Sequence, residues 1–551
     1  MEHFTATLPN GAIVNKKIFD LISKKGPPQI QKLTNGISVM LGFSVENTVI
    51  IEGETGLIVW DTGAHMKTGM RKYQALRQTT TKPISTIIYS HNHYAMGTRA
   101  FVPEGQSVQI IAHPDLDRNI INSAIELGPT ITRNGAQHFG FYLPPTGPDA
   151  TLSTADAGSS GYIPPTYCVK DGEELVIDGV RMQFFHTPSD TYDSLTLWLP
   201  DHDTVVTNSI WSTLANLYTL RGQPFRNPVD WIGGIDTIRQ LHPQYLIPEH
   251  GLPTRTKETS YDLATVYRDS IAFIYSQAIR GMNKGMKPDE IADSVKLPEH
   301  LANHPYLQET YGEFKHHLKG VYSGLIGWFS LDAADLNPVS IPFRSARIID
   351  GFGGKENVIA ASKKAFTNKE FAWVAELITH VLNIEPENKE ARQIKADALR
   401  QMGYVTTATS SRAFYLTQAL ALEGKVDFNR IPPGFPGTID EDGAKKLPIE
   451  NLIKLVEYKV CPIKSQNYDK LLSIVIPDLN KEFGLHLRKG VAEFIKHQPE
   501  KADLSIELTR ETWGEIVFGK VSIADVLASG QASCFGEETA VVQFFSHFEF
   551  D

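Results

Sequence analysis

The chain has 551 residues and a formal net charge of −10, with 41% apolar and 21% charged residues. A chain this long exceeds what a single hydrophobic core covers, so we expect about three domains. The acidic balance argues against a nucleic-acid binder, and three cysteines without a CxxC spacing fit neither a disulfide framework nor a cysteine zinc site. Because no apolar run reaches about 18 residues and no signal sequence begins the chain, we expect no membrane span and a cytoplasmic location.

Short β-branched runs alternate with turns and helical stretches over residues 1–258. The stretch NTVIIEGETGLIVWDTG (47–63) predicts a hairpin, since two apolar runs flank a glycine-containing turn. Other predicted strands end in polar turns, at ISTIIYS (84–90), HTPSDT (186–191) and QYLIPEHG (244–251). Many strands with helices between them favour an α/β fold of layered sheets covered by helices.

The pattern changes to apolar spacings of three and four, which predict helices throughout residues 259–428. Residues 370–404 predict a helix-turn-helix of tetratricopeptide type, which cannot bury its own face and therefore packs on neighbours or on a second chain. Residues 429–446 are rich in proline, glycine and acidic residues and predict a linker. Residues 447–551 predict a small α/β domain.

Two histidines, His91 and His93, follow a predicted strand in the sequence SHNHYAMG. On a turn, this spacing can direct both imidazoles into one cleft, and zinc and iron both accept such ligands. Three other strand ends carry Asp61 in VWDTG, Asp190 in HTPSDT and His250 in LIPEHG. Asp61 is placed to accept a proton from a ligand imidazole. An isolated pair would fit ordinary turn or surface histidines better than a metal site, but the four strand ends together favour a metal site.

In this order, strand ends holding D-T-G, H-x-H, H-T-P-x-x-T and a late histidine resemble the metallo-β-lactamase superfamily. The resemblance narrows to the type III, zinc-dependent alkyl sulfatases over WSTLANLYTLRGQPFRNPVDW (211–231), QHFGFYLPPTGP (137–148) and GVYSGLIGWF (320–329). It implies a metallo-β-lactamase-like αββα sandwich, an all-α dimerisation domain and a small α/β domain like sterol-carrier protein 2. It also implies a homodimer that hydrolyses sulfate esters of small amphiphilic, anionic substrates.

The sequence departs from the family in the metal motif. Family members carry H-x-H-x-D-H, whereas the last two positions here are Ala95 and Met96. One family glutamate falls at Thr191, beside Asp190, and a second falls at about Asn208. Alanine donates nothing and a thioether is a poor ligand for such ions, so the ligands of a second metal are lost.

We therefore expect one divalent metal ion, zinc or iron, held by His91, His93 and Asp190. His250 is expected either to join these ligands or to act as an acid or base. A site with no metal and a rearranged site with two ions are the alternatives.

Arg221 and Asn216 in NLYTLRG match the family's sulfate-binding residues, and a guanidinium presents a planar fork suited to sulfate oxygens. Tyr142, as a substrate contact, and Tyr218, as a catalytic candidate, can supply further hydroxyl groups, although packing roles fit both equally well. The family histidine that serves the leaving group corresponds to Trp211, which leaves the proton donor unassigned.

Two further histidines, His316 and His317 in the helical region, are expected at the surface or at an interface.

Three functions are compatible with these residues. The leading hypothesis is a single-metal hydrolase of the sulfuric ester type. The second is a mononuclear non-haem iron oxygenase, or a lyase, on the same fold. The third is a non-catalytic dimer that binds an anion or a lipid.

Overall fold

The computed structural model describes residues 4–24, 26–153, 159–430, 432 and 448–550. The chain falls into two compact units, Met1–Asn119 with Pro129–Pro436, and Ile120–Gly128 with Gly437–Asp551. Nearly all of the predicted linker, 429–446, lies outside the described residues. Among those that are described, no helix is long and apolar enough to cross a membrane.

The larger unit begins with a two-stranded ribbon, β1 (Thr5–Thr7) and β2 (Ile13–Asn15), and the helix Lys16–Ser23. A seven-stranded sheet follows in chain order: β3 (Gln29–Thr34), β4 (Ile37–Leu41), β5 (Thr48–Glu52), β6 (Leu57–Trp60), β7 (Ile84–Ile88), β8 (Gln109–Ala112) and β9 (Tyr167–Cys168). Strands β3 to β6 pair antiparallel, and β7 to β9 continue the sheet in parallel. The predicted hairpin is confirmed as the pair β5 and β6.

A five-stranded sheet contains β10 (Glu174–Ile177), β11 (Val180–His186), β12 (Leu195–Leu199), β13 (Thr204–Thr207) and β14 (Tyr245–Pro248), again in chain order. Its first four strands pair antiparallel, whereas β13 and β14 are parallel because the helix Pro228–Leu241 connects them.

The two sheets share one apolar core, which contains Val39, Val49, Ile58 and Ile88 from the first sheet and Met182, Phe184, Leu197, Val206 and Ile247 from the second. Two helices, Pro228–Leu241 and Lys257–Asn283, join a second core with Val205 and Leu246 on the outer face of the five-stranded sheet. On the other side, the helix Met66–Arg77 reaches β5 through the buried Lys72, whose Nζ donates to Thr48 Oγ1 at 2.9 Å. The predicted αββα sandwich of metallo-β-lactamase type is confirmed.

Two more helices of the sandwich region are Leu116–Ile125 and Gly128–His138. The helical region beyond the sandwich comprises Lys257–Asn283, Pro288–Ser294, Glu299–Ala302, Phe314–Ile326, Ile341–Gly351, Lys355–Thr367, Phe371–Ile384, Lys389–Val405 and Thr409–Leu422. The predicted helix-turn-helix is confirmed as the pair Phe371–Ile384 and Lys389–Val405, in which Ala391 and Ala396 are fully buried.

The smaller unit contains a second five-stranded sheet, ordered β17-β16-β15-β18-β19. Its strands are β15 (Asp469–Ile476), β16 (Lys481–Arg488), β17 (Val491–Ile495), β18 (Leu504–Leu508) and β19 (Ala532–Phe535). The helices are Ile449–Lys454, Pro462–Ser465, Arg510–Val517, Ile523–Ala528 and Glu538–Phe545. The predicted small α/β domain is confirmed, and its likeness to sterol-carrier protein 2 stays a prediction.

Adjacent glycines in the helix Pro228–Leu241 test how closely this helix packs on the turn after β11. A Cβ atom on Gly234 would lie 2.8 Å from the Cβ of Thr187, whereas one on Gly233 would meet nothing within 4 Å. We expect Gly234→Ala to destabilise the larger unit by roughly 1–3 kcal/mol. Gly233→Ala should be neutral or stabilising by up to about 1 kcal/mol. Urea denaturation of both variants measures this difference, and equal midpoints would contradict the close packing.

Candidate metal centre

The turn after β7 is held against the end of β6 by backbone hydrogen bonds. Thr62 and Gly63 donate their N–H groups to the carbonyl of Tyr94, at 3.1 and 3.0 Å, and Gly97 donates to Gly63 at 2.9 Å. A Cβ atom on Gly97 would lie 2.4 Å from the carbonyl oxygen of Thr62, so this approach requires glycine. The sequence SHNHYAMG therefore forms a fixed turn that presents its histidines at the carboxyl end of β7.

Three side chains predicted as ligands meet beside this turn. The donor atoms of His91, His93 and Asp190 all lie within 4.8 Å of one another. Asp190 Oδ2 is 3.1 Å from His93 Nδ1 and 3.8 Å from His91 Nε2. His91 Nε2 is buried and has no hydrogen-bond partner in the described part of the chain, while its Nδ1 lies 2.7 Å from Ser90 Oγ. Two imidazole nitrogens and a carboxylate oxygen, one nitrogen still unpartnered, fit a divalent metal ion.

Asp190 is the most constrained member of this triad. Asn208 donates its amide to Asp190 Oδ1 at 2.8 Å, and a guanidinium nitrogen of Arg226 lies 4.0 Å from Oδ2. Burial alone would raise the pKa of Asp190, but His91 and His93, and then Arg226, hold that pKa well below its usual value. The carboxylate is therefore ionised and available as a ligand.

The residues at the family's second set of ligand positions cannot replace the missing metal ligands. Ala95 is fully buried, and the thioether of Met96 accepts a hydrogen bond from Ser160 Oγ at 3.1 Å. The amide of Asn208 is committed to Asp190 and to the hydroxyl of Ser194. Over the residues that the structure describes, no second group of three metal-ligating side chains comes together.

His250 lies beside the triad but is not one of the three clustered residues. Its Nδ1 is 2.6 Å from the carbonyl of Val45, so Nδ1 carries the proton and Nε2, 3.4 Å from the hydroxyl of Tyr94, is an acceptor. Burial lowers the pKa of His250, which keeps the ring neutral. Its roles as a ligand and as an acid or base stay predictions.

Asp61 reaches the triad through an intermediate residue. Its backbone is left-handed, with φ of 57°, and its Oδ1 accepts the backbone N–H of Ser90 at 2.9 Å. Burial raises the pKa of Asp61 to about 8. The sequence predicted an imidazole as the partner of Asp61. The structure instead connects Asp61 to His91 through Ser90, because the backbone N–H of Ser90 donates to Asp61 and its hydroxyl lies beside His91 Nδ1.

Arg221 is the predicted anion-binding residue that reaches the triad. Its guanidinium nitrogen lies 3.4 Å from His93 Nε2, and its Cζ lies 5.7 Å from the ring centre of Phe139. Asn216 is buried, and its backbone carbonyl accepts a hydrogen bond from Arg226 at 2.5 Å. Arg226 escaped the sequence analysis because a single arginine before a helix carries no local signal.

The two tyrosines make other contacts. The ring of Tyr142 packs edge-on against Phe428, and its buried hydroxyl has no partner among the described residues. Tyr218 is 45% exposed, and its backbone N–H donates to His317 Nδ1 at 3.3 Å. Substrate and catalytic roles for both therefore stay predictions.

His317 was expected at the surface or at an interface, and the surface position was wrong. The side chain is fully buried, because the helix Phe314–Ile326 turns this face towards Tyr218. Burial lowers the pKa of His317 to about 3, so the ring stays neutral and its Nδ1 can accept the hydrogen bond.

Comparisons with known proteins identify relatives of this chain. Two family models match, described as alkyl sulfatase dimerisation over residues 287–425 and alkyl sulfatase C-terminal over 437–550. A linear primary-alkylsulfatase from Pseudomonas sp. is 32% identical over 522 residues, which cover 91% of this chain and 98% of that protein. An alkyl/aryl-sulfatase from Saccharomyces cerevisiae is 27% identical over 94% of this chain and 82% of its own length. The structure of a stereoselective inverting sec-alkylsulfatase from Pseudomonas sp. matches with a TM-score of 0.86 and 25% identity, covering 97% of this chain and 87% of that one.

Metal content tests the triad. We expect the purified protein to hold about one divalent ion per chain, and His91→Ala or Asp190→Asn to hold almost none, because each removes one of three ligands. His250→Ala should keep its metal, since His250 lies outside the cluster. His300→Ala, at an exposed helix start, is the matched control. Mass spectrometry of dialysed protein measures the content; an unchanged ratio in His91→Ala would contradict the assignment.

Proposed function

This chain belongs to the alkyl sulfatase family, and we propose that it hydrolyses the sulfate ester of an amphiphilic alcohol at a site that holds one divalent metal ion. The observation that carries this proposal is the meeting of His91, His93 and Asp190 beside the guanidinium of Arg221. His93 contacts both Asp190 and Arg221, so the proposed metal ligands would lie next to the proposed anion-binding guanidinium.

His91, His93 and Asp190 would hold the ion, and zinc is the family's metal by resemblance. When bound, a divalent ion supplies Lewis acidity that polarises an ester oxygen and lowers the pKa of bound water. We propose a single ion because Ala95 and Met96 offer no ligands for a second.

The chain's own residues bind and orient the substrate. Arg221 presents two parallel N–H donors to sulfate oxygens, an interaction that is stronger and more directional than a point charge gives. His91 and Asp190 are buried and His93 is partly buried, which would limit the access of water to a bound ester.

Hydrolysis also needs a group that moves a proton. Trp211 cannot serve at the family's position, since its indole N–H donates to the carbonyl of Asn208 at 2.9 Å. We propose that His250, whose Nε2 is a proton acceptor and whose ring lies 5.4 Å from that of Trp211, is the base that takes a proton from the attacking water. The proton donor to the leaving alcohol stays unassigned.

A second candidate function is oxidation at iron. Two histidines and one carboxylate with open positions are also the ligand set of mononuclear non-haem iron oxygenases. The identity of the metal separates the two: zinc favours hydrolysis, and iron(II) that reacts with oxygen favours oxidation.

We also propose that the chain forms a homodimer through its helical region. The matching family model is one of dimerisation. A run of large apolar side chains between residues 325 and 343 is exposed in the single chain: Leu325, Ile326, Trp328, Leu331, Leu336, Val339, Ile341 and Phe343. Exposed apolar surface of this extent marks an interaction site. The cytoplasmic location stays a prediction.

Turnover of a linear alkyl sulfate tests the proposed reaction. We expect wild-type protein to release inorganic sulfate and His91→Ala to lose nearly all activity, while His300→Ala keeps it. Arg221→Ala should weaken substrate binding by roughly 1.5–3 kcal/mol, the contribution of a hydrogen bond to a charged group. Undiminished turnover by His91→Ala would refute the proposal.

Sedimentation equilibrium tests the dimer. We expect the wild-type chain to sediment as a dimer and the double variant Trp328→Ser with Phe343→Ser to shift towards monomer, because both remove apolar area from the 325–343 surface. Trp373→Ser, at a side chain that is 47% exposed elsewhere, serves as the control. A wild-type monomer at micromolar concentration would overturn this assignment.

A further inference from the structure

Arg226 is a buried arginine beside Asp190, and the resemblance to the family assigns no role to this residue. It lies five residues after Arg221 and two residues before the first residue of the helix Pro228–Leu241, and it is only 4% exposed. Its guanidinium contacts the Asn216 carbonyl on one side and lies 4.0 Å from Asp190 Oδ2 on the other, with its Cζ 6.0 Å from the ring centre of Trp211.

Two guanidinium groups lie beside the triad. A nitrogen of Arg226 lies 4.0 Å from Asp190 Oδ2, and one of Arg221 lies 3.4 Å from His93 Nε2. The triad contributes one carboxylate, so the two arginines bring more positive charge to the site than Asp190 offsets.

Both arginines also have donors without acceptors. Their Nε–H groups are buried and lack a hydrogen-bond partner among the described residues. A buried donor that stays unpaired is costly, so proteins satisfy nearly all such groups. A tetrahedral oxyanion carries enough oxygens to accept from two guanidinium groups at once.

The chain also lacks the family's second set of metal ligands. Ala95 and Met96 offer no metal ligands, and Asn208 has an amide that donates to Asp190 where the family has a carboxylate. Each of these changes removes a ligand for a metal ion. Arg226, in contrast, provides a positive charge that is covalently part of the chain.

We propose that Arg226 supplies a fixed positive charge in place of a second metal ion and, together with Arg221, binds the oxyanion of the substrate. The inference rests on the proposed sulfatase function, since it concerns the same site. It differs from a purely structural role, in which Arg226 only anchors Asp190 and the carbonyl of Asn216.

The two roles predict different changes in the zinc affinity and the sulfate affinity when Arg226 loses its charge. A fixed positive charge beside a ligand carboxylate repels the metal and attracts the anion. In Arg226→Gln we therefore expect zinc to bind more tightly, by about tenfold, and inorganic sulfate to bind more weakly, by roughly tenfold to hundredfold. Loss of a structural anchor would weaken both.

The experiment uses the full-length protein, with zinc affinity from competition with a chromophoric chelator and sulfate affinity from calorimetry. Arg226→Lys keeps the charge and loses the fork, so its zinc affinity should stay near that of wild type while sulfate binding falls less than in Arg226→Gln. Arg239→Gln, at a partly exposed pair with Asp236, is the control.

Opposite shifts in Arg226→Gln, with near wild-type zinc affinity in Arg226→Lys, support the inference. Parallel losses of both affinities, or unchanged sulfate binding, overturn it. If Arg226→Gln does not fold, Arg226→Lys decides alone, and undiminished sulfate affinity in that variant overturns the inference. Neither measurement involves turnover, so failure here is distinguishable from failure of the proposed reaction.

Discussion

A single ionised carboxylate, Asp190, is the constraint on which the site depends. It is 6% exposed and lies against two imidazoles, an amide and a guanidinium, all of which are held by the ends of different strands or by the loop before a helix. A buried charge of this kind is stable only with partners of opposite charge or good donors. The metal ion, if bound, would be one of those partners, and Arg226 is another that is always present.

This constraint extends into the sandwich. The turn that carries Asp190 packs on Gly234, and the turn that carries His91 and His93 packs on the end of β6 through Gly97. Behind them, Asp61 is connected to His91 by Ser90. The fold therefore fixes the triad through backbone packing, and the proposed anion-binding residue, Arg221, comes from the segment before the helix Pro228–Leu241. Such division is typical of sites whose ligands sit on loops supported by a rigid scaffold.

Much of the fold followed from the sequence, because strand alternation, the glycine turn of β5 and β6 and helical spacing are local signals. The meeting of His91, His93 and Asp190 could also be predicted, since each of these residues follows the end of a strand. Contacts between residues far apart in the sequence could not be predicted from local sequence patterns. Arg226 has no motif around it, Asp61 gained Ser90 and not an imidazole as its partner, and His317 is buried by a contact with Tyr218 that lies 99 residues away in sequence. Contacts of that range depend on the completed packing.

We propose that one cation, and not two, occupies the site. Anomalous diffraction from crystals grown with zinc, recorded on both sides of the zinc absorption edge, measures the number of ions. We expect one strong peak within coordination distance of His91, His93 and Asp190, with Arg226 beside it. Two peaks separated by about 3.5–4 Å, as in two-metal hydrolases, or no peak at the triad, would contradict it.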